Sequence, residues 1–168
     1  ATALNNLGAA QFYAGHFDQA YQSWLKASQF STNSAAYSNM GTALYYAKRF
    51  DEALLQFEIA VKMDANDHRL WGNIGDILRF TAQDKQHAQD AYQQAIRLAE
   101  KNLTVNPTNA TTHSRLAVYL AAIGDQAGAE RQIGTFQNNT GADFNVLYDL
   151  AVATALLGNL ASSSYYID

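Results

Sequence analysis

Residues 37–66 read YSNMGTALYYAKRFDEALLQFEIAVKMDAN, and the rest of the chain is a set of variations on them. Tyr37, Met40, Gly41 and Leu44 fall on one face of a first helical segment, and Ala53, Phe57 and Ala60 on one face of a second. Residues 48–51 between them lack apolar periodicity. Asp51 precedes an Ala-Leu-Leu run, where its carboxylate is expected to accept the unpaired amides of a helix start. The stretch predicts helix, short turn, helix. Gly41 and Ala53 are the small residues that let two helix backbones approach, where a larger side chain costs roughly 1–3 kcal/mol. Tyr37, Leu44 and Phe57 supply the bulk around that contact.

Outward from this stretch, the small residue of the first helix recurs at Gly8, Gly41, Gly75, Ala117 and Ala151, at spacings of 33, 34, 42 and 34 residues. The small residue of the second helix recurs at Ala20, Ala53, Ala88 and Ala129, each followed four residues later by Trp24, Phe57, Tyr92 or Ile133. Leu4, Leu7, Gly8, Ala20, Trp24 and Ala27 carry the pattern in the first unit. Trp71, Ile74, Gly75, Leu78, Ala88, Tyr92 and Ala95 carry it in the third. A unit of about 34 residues with these types in this order resembles the tetratricopeptide repeat family.

The resemblance covers nearly the whole chain. It implies an all-α, right-handed α-solenoid of antiparallel helix pairs, about four and a half repeats at 1–33, 34–67, 68–109, 110–143 and a partial 144–168, in a single domain over 1–168. Three positions depart from the pattern: Gln11 replaces the usual aromatic, Phe136 a small residue in the fourth unit, and Ser163 the expected alanine in the fifth.

The chain opens on a repeat and closes at Tyr165-Tyr166-Ile167-Asp168, partway through a second helix. That is the expectation for a piece of a longer protein, or for one whose terminal face, with Leu150, Leu157 and Leu160, is covered by another chain. At 168 residues and 48% apolar composition the length suits one domain built by stacking. The apolar residues are interrupted too often for a membrane span, and the N-terminus lacks a basic patch followed by an apolar run. Without cysteine there is no disulfide framework or thiolate site. Compartment stays open on these grounds, cytoplasmic slightly favoured over periplasmic. A net charge of −4 argues against a nucleic-acid partner.

Helices are expected at 2–14 and 18–30, broken at Gly15-His16, with Ser31-Thr32-Asn33 supplying a turn and cap. Residues 64–67 end the second unit in the same way, and the third starts near His68 and turns near Gln83-Asp84. Its second helix runs from Lys85 to the Asn106-Pro107 stop, about two turns longer than its siblings, because the proline ring cannot continue the helix. The extra stretch at 96–103 is expected to project, as a length variant, an added contact surface or a change of superhelical pitch. The fourth unit occupies 109–122 and 126–138, hinged at Gly124-Asp125, and Thr140-Gly141-Ala142-Asp143 turns into the fifth.

Catalytic patterns are absent: no phosphate-cradling glycine loop with a lysine, no nucleophile elbow, and no paired histidines on a helix with a glutamate between. His16, His68, His87 and His113 fall in four different repeat roles, which predicts no metal site. The expectation is a non-enzyme without cofactor. Three matches to the N-glycosylation pattern, at Asn102, Asn109 and Asn138, are discounted in an Asn-rich chain.

What remains is surface. The resemblance implies a concave groove, lined by first helices, that holds a peptide or partner helix. Its candidates here are Asn6, Phe12 and Tyr13; Asn39, Thr42, Tyr45 and Tyr46; Arg69, Asn73, Asp76, Arg79 and Phe80; and Arg115. The recurring Asn6, Asn39 and Asn73 would form a ladder of amides that engages a peptide backbone whatever its sequence, a device used by related sugar-transferase solenoids. Phe12 and Tyr45 are read as half-buried, with Tyr13, Tyr46 and Phe80 as exposed anchors. Arg69, Arg79 and Arg115 would receive a carboxylate. The Lys/Asn/Arg clamp of chaperone-tail binders does not match, since Ala9 and Asn73 stand in its places.

The reading is a non-catalytic protein-interaction module. The alternative is a scaffold that self-associates, as a homodimer, through the C-terminal repeat. The long third-unit helix and the run at 116–125 resemble repeats attached to larger bacterial signalling proteins.

Overall fold

The computed structural model describes residues 1–81, 84–136 and 143–158. Expectations resting on Gln83, Asn138, Thr140, Gly141, Ala142, Leu160, Ser163 and 165–168 lie outside them. The described residues form nine helices and no strand: α1 (Thr2–Tyr13), α2 (Phe17–Ser28), α3 (Ser34–Tyr46), α4 (Phe50–Met63), α5 (His68–Thr81), α6 (Lys85–Val105), α7 (Ala110–Ala122), α8 (Gln126–Gly134) and α9 (Phe144–Leu156). The architecture is an all-α helical repeat. α6 spans 21 residues against 12 to 14 in α1 to α5, and it stops immediately before Asn106-Pro107 as the sequence predicts.

The first helices of the second to fifth repeats are each capped by one side chain, whereas α1 starts after Ala1 without one. Asn33, Asn109 and Asp143 accept the backbone N–H of Ala36, Thr112 and Val146 at 2.9, 3.0 and 3.0 Å, and Asp67 accepts that of Arg69 at 2.9 Å. Each side-chain oxygen satisfies an amide that has no intrahelical partner. Second helices begin less uniformly. Asp84 and Asp125 cap α6 and α8 through the amides of His87 and Gly128. α4, however, begins at Phe50 with Arg49 before it and no side-chain cap. Asp51 therefore does not cap α4. It lies inside the first turn with Glu52, where a carboxylate acts on the helix dipole instead.

The turns within the first, second, fourth and fifth repeats each hold one left-handed residue. Gly15, Gly124 and Gly158 fill that position at φ of 78°, 84° and 78°, whereas the second repeat places Lys48 there at φ 62°. A side chain in this region costs roughly 1–2 kcal/mol, and glycine's greater freedom in the unfolded chain returns part of that. Lys48→Gly is expected to stabilise the protein by about 0.5–1 kcal/mol, read as a higher urea midpoint at unchanged m-value.

The chain divides into two compact units, Ala1–Ala88 and Gln89–Asp168. In the first, α1 packs on α2, α2 on α3, α3 on α4 and α4 on α5. One of its cores gathers Ala20, Trp24, Met40 and Ala43, flanked by Ala9, Phe12, Tyr21 and Tyr37. In the second unit α7 packs on α8 and α9, and Phe136, Val146 and Leu150 cluster with Ala110 and Ile133. Leu150, expected on an exposed terminal face, is fully buried there.

All five anchors, Gly8, Gly41, Gly75, Ala117 and Ala151, are buried. At Gly41 and Gly8 the partner differs from the expected backbone approach. A Cβ on Gly41 would lie 2.9 Å from the Phe57 ring, and one on Gly8 2.6 Å from the Trp24 indole. In these two repeats the glycine makes room for the aromatic four residues after the second small residue, so the repeat closes by a ring on a glycine. Indole Nε1 of Trp24 also donates to the Asn5 carbonyl at 3.2 Å. Departures from the pattern are accommodated. Gln11 accepts the Ser23 hydroxyl at 2.6 Å, and Phe136 lies beyond the end of α8, where its ring joins the unit 2 core.

Candidate functional site

In each first helix the residues two before, one after and five after the anchor share a face, since steps of three and four return to nearly the same direction. In unit 1 these are Asn6, Ala9 and Tyr13 on α1, Asn39, Thr42 and Tyr46 on α3, and Asn73, Asp76 and Phe80 on α5. Three helices thus carry three parallel rows: amide, small or polar, aromatic. The amide and aromatic rows stand two turns apart, about 10 Å.

In the amide row Asn6 is exposed and Asn39 and Asn73 half-buried. Among the described residues none of the three side chains makes a hydrogen bond. In the middle row Thr42 Oγ1 donates back to the Ser38 carbonyl at 2.9 Å, and Asp76 is engaged within the protein. Beside Asn39, a cleft of about 290 Å³ opens near the start of α1 and α3, with Asn5, Trp24 and Asn33 in its walls.

The aromatic row is exposed at Tyr13 (87%), Tyr46 (45%) and Phe80 (63%). Its rings are held from behind. Phe12 stands edge-on to Tyr13 at 5.8 Å and to Tyr46 at 5.3 Å, Phe17 stacks on Tyr46 at 5.4 Å, Tyr45 meets Phe50 at 5.6 Å, and Phe50 meets Phe80 at 5.0 Å. Such pairs contribute about 0.5–1.5 kcal/mol beyond burial, so the row is a braced rim. Phe12 and Tyr45 are half-buried, as their positions predict. Phe17 and Phe50 were not among the sequence candidates. The signal for them was present in the repeated Phe-Asp-x-Ala at 17–20 and 50–53.

The arginines play other parts. Arg69 and Arg79 are ten residues apart on α5, about 15 Å along the axis. The Arg69 guanidinium bonds Asp67 at 2.7 Å. In unit 2 Arg115 occupies the amide-row position, and so does Asp149 on α9. Arg115 Nε lies 3.2 Å from the Asp149 carboxylate, which also accepts the Ser114 hydroxyl at 2.9 Å. Asp149 is 2% exposed and Ser114 fully buried. Each of Arg69 and Arg115 already has a carboxylate of its own chain, so neither stands waiting for a ligand's. The rest of this face in unit 2 is Val118 and Ala122, then Val152 and Leu156, with Val118 buried.

Burial opposes ionisation of Asp67, but the Arg69 side chain and backbone amide outweigh it and hold the carboxyl below its usual value of 3.8. A depressed folded-state value means this contribution is complete above 3.8 and is lost as the pH falls from there through the folded value. Asp67→Ala is expected to cost about 1–2 kcal/mol near neutral pH, through the lost cap of α5. It should also flatten the dependence of stability on pH below 3.8, measured by urea unfolding across that range.

No cluster of three metal-ligating side chains occurs among the described residues, and no helix there is long and apolar enough to cross a membrane.

Residues 68–102 match the family model of the tetratricopeptide repeat. No curated protein matches the chain. Among solved structures, its fold is similar to that of TTC0263, a thermophilic TPR protein of Thermus thermophilus, at a TM-score of 0.73 and 16% identity over 98% of this chain and 87% of that one. A tetratricopeptide repeat protein from Parabacteroides merdae ATCC 43184 is similar at 0.62 and 18%, over 98% of this chain and 61% of that one. MamA from Desulfovibrio magneticus RS-1 is similar at 0.56 and 12%, over 99% and 90%. Residues 68–102 thus carry a tetratricopeptide repeat, and over 98% of its length the chain has the fold seen in such proteins.

Proposed function

We propose that the chain is a non-catalytic protein-interaction module and that the three-row face of α1, α3 and α5 takes an extended peptide. The observation that carries this is the amide row. Asn6, Asn39 and Asn73 recur at one position of consecutive first helices and make no hydrogen bond among the described residues. Each amide offers both donors and an acceptor, the complement of a peptide backbone. The braced aromatic rim beside it adds contact area at little entropic cost. Asn6, Tyr13, Asn39, Thr42, Tyr46, Asn73, Asp76 and Phe80 form the face; Phe12 and Tyr45 support it, and Arg69 and Arg79 flank it at the two ends of α5.

A displayed peptide library selected on the protein tests this. Selected peptides are expected to bind Asn39→Ala/Asn73→Ala about tenfold more weakly, two net hydrogen bonds of about 0.5–1.5 kcal/mol each. Tyr13→Ala/Tyr46→Ala/Phe80→Ala is expected to lose more, with circular dichroism unchanged. Equal binding by the wild type and both variants would refute the assignment of this face.

A second reading, self-association through the fifth repeat, is favoured by Phe144 and Tyr148, which stack on each other at 6.4 Å and are 76% and 48% exposed on α9. Sedimentation at increasing concentration distinguishes the two: a mass that doubles, and that Phe144→Ser/Tyr148→Ser returns to one chain, supports it.

A further inference from the structure

We infer that the peptide taken by this face is an uncharged, proline-containing segment in the polyproline II conformation, an inference that rests on the peptide reading above. The first ground is charge. Across α1 and α3, TALNNLGAAQFY and SAAYSNMGTALYY, there is no acidic, basic or histidine side chain. Of the nine residues in the three rows only Asp76 is charged, and it is already engaged within the protein. A charged ligand side chain laid on α1 and α3 would lose hydration and meet no counter-charge. A neutral one loses much less.

The second ground is the rim. Tyr13, Tyr46 and Phe80 rest against Phe12, Phe17, Tyr45 and Phe50 and keep 87%, 45% and 63% exposure. Exposed aromatic surfaces are what proline rings pack on, and a polyproline II segment arrives already ordered, so little chain entropy is lost on binding.

Third, the repeat lengths agree. Polyproline II returns to the same face every three residues, about 9.3 Å, and helices in contact stand about 8–10 Å apart. The Phe12 ring of α1 meets the Tyr46 ring of α3 at 5.3 Å, so these two first helices touch at their aromatic ends. Prolines three residues apart would meet the rings of α1 and α3 in turn. Polyproline II also leaves its backbone groups without internal partners, and the amide row lies on the same helix face to supply them. The chain itself has one proline, Pro107, between α6 and α7, so a second copy of these residues does not offer such a segment.

The test is fluorescence polarisation with labelled, end-blocked peptides of about twelve residues: proline at every third position among serine and glutamine, the same peptide with alanine for proline, and the proline peptide with glutamate or lysine for glutamine. The uncharged proline peptide is expected to bind at least tenfold tighter than the alanine peptide and several-fold tighter than either charged one. Tyr46→Ala should weaken it at least fivefold.

Equal binding of proline and alanine peptides, both weakened by Asn39→Ala/Asn73→Ala, would overturn the polyproline inference and leave the peptide face standing. Tighter binding of a charged peptide would overturn it as well, as would no binding by any of the four. Binding of neutral oligosaccharides in their place would overturn both this inference and the peptide reading.

Discussion

Phe57→Ala is expected to lower stability by roughly 3–5 kcal/mol, the upper range for a buried aromatic, because the ring is 2% exposed and fills the space over Gly41. The paired experiment is Gly41→Ala. On helix propensity alone that change would stabilise by about 1 kcal/mol. The new Cβ would stand 2.9 Å from the Phe57 ring, however, and overpacking of this kind costs about 1–3 kcal/mol. Net destabilisation is expected. In the double variant Gly41→Ala/Phe57→Leu the clash is relieved, so the combined loss should fall short of the sum by at least about 0.5 kcal/mol. Urea unfolding of the wild type, Gly41→Ala, Phe57→Leu and the double variant gives the coupling; strict additivity would show that the ring does not rest on the glycine. The same cycle at Gly8 and Trp24 should behave alike, since the Cβ there would come closer, at 2.6 Å.

Asp149→Ala carries the second large effect. Removing one member of a buried ion pair commonly costs about 3–5 kcal/mol, because the other charge is left without compensation. Here the abandoned charge is Arg115, whose side chain keeps 33% exposure and can recover water, so about 2–3 kcal/mol is expected. Ser114, fully buried, loses the carboxylate but keeps a bond to the Thr111 carbonyl at 3.1 Å. Asp149→Asn retains an acceptor for Ser114 and should cost less. If Asp149→Ala and Asp149→Asn were equally benign in urea unfolding, the pair would contribute nothing to holding α7 on α9.

These two sites show what was legible in the sequence. The repeat anchors, the turn at Gly15, a cap within residues 31–33, the end of α6 at Pro107 and the half-burial of Phe12 and Tyr45 follow from residue type and period. Each depends on neighbours within a turn or two, or on a spacing that recurs. The recurrence of Asn6, Asn39 and Asn73 was legible for the same reason.

The partner of each side chain was not. Gly41 meets Phe57, Arg115 meets Asp149 and Tyr46 meets Phe17 across 16, 34 and 29 positions of chain. No local period specifies which residue on the facing helix arrives there. In the sequence Arg115 was one more candidate for a ligand's carboxylate; in the folded unit it is committed to Asp149, and the face we propose for a peptide lies on α1, α3 and α5. The helices, their order and the small residues on which they close were readable from the chain alone, because local sterics and repetition set them. Which polar groups pair within the protein and which stay open emerged with folding, because that depends on how facing helices bring distant side chains together.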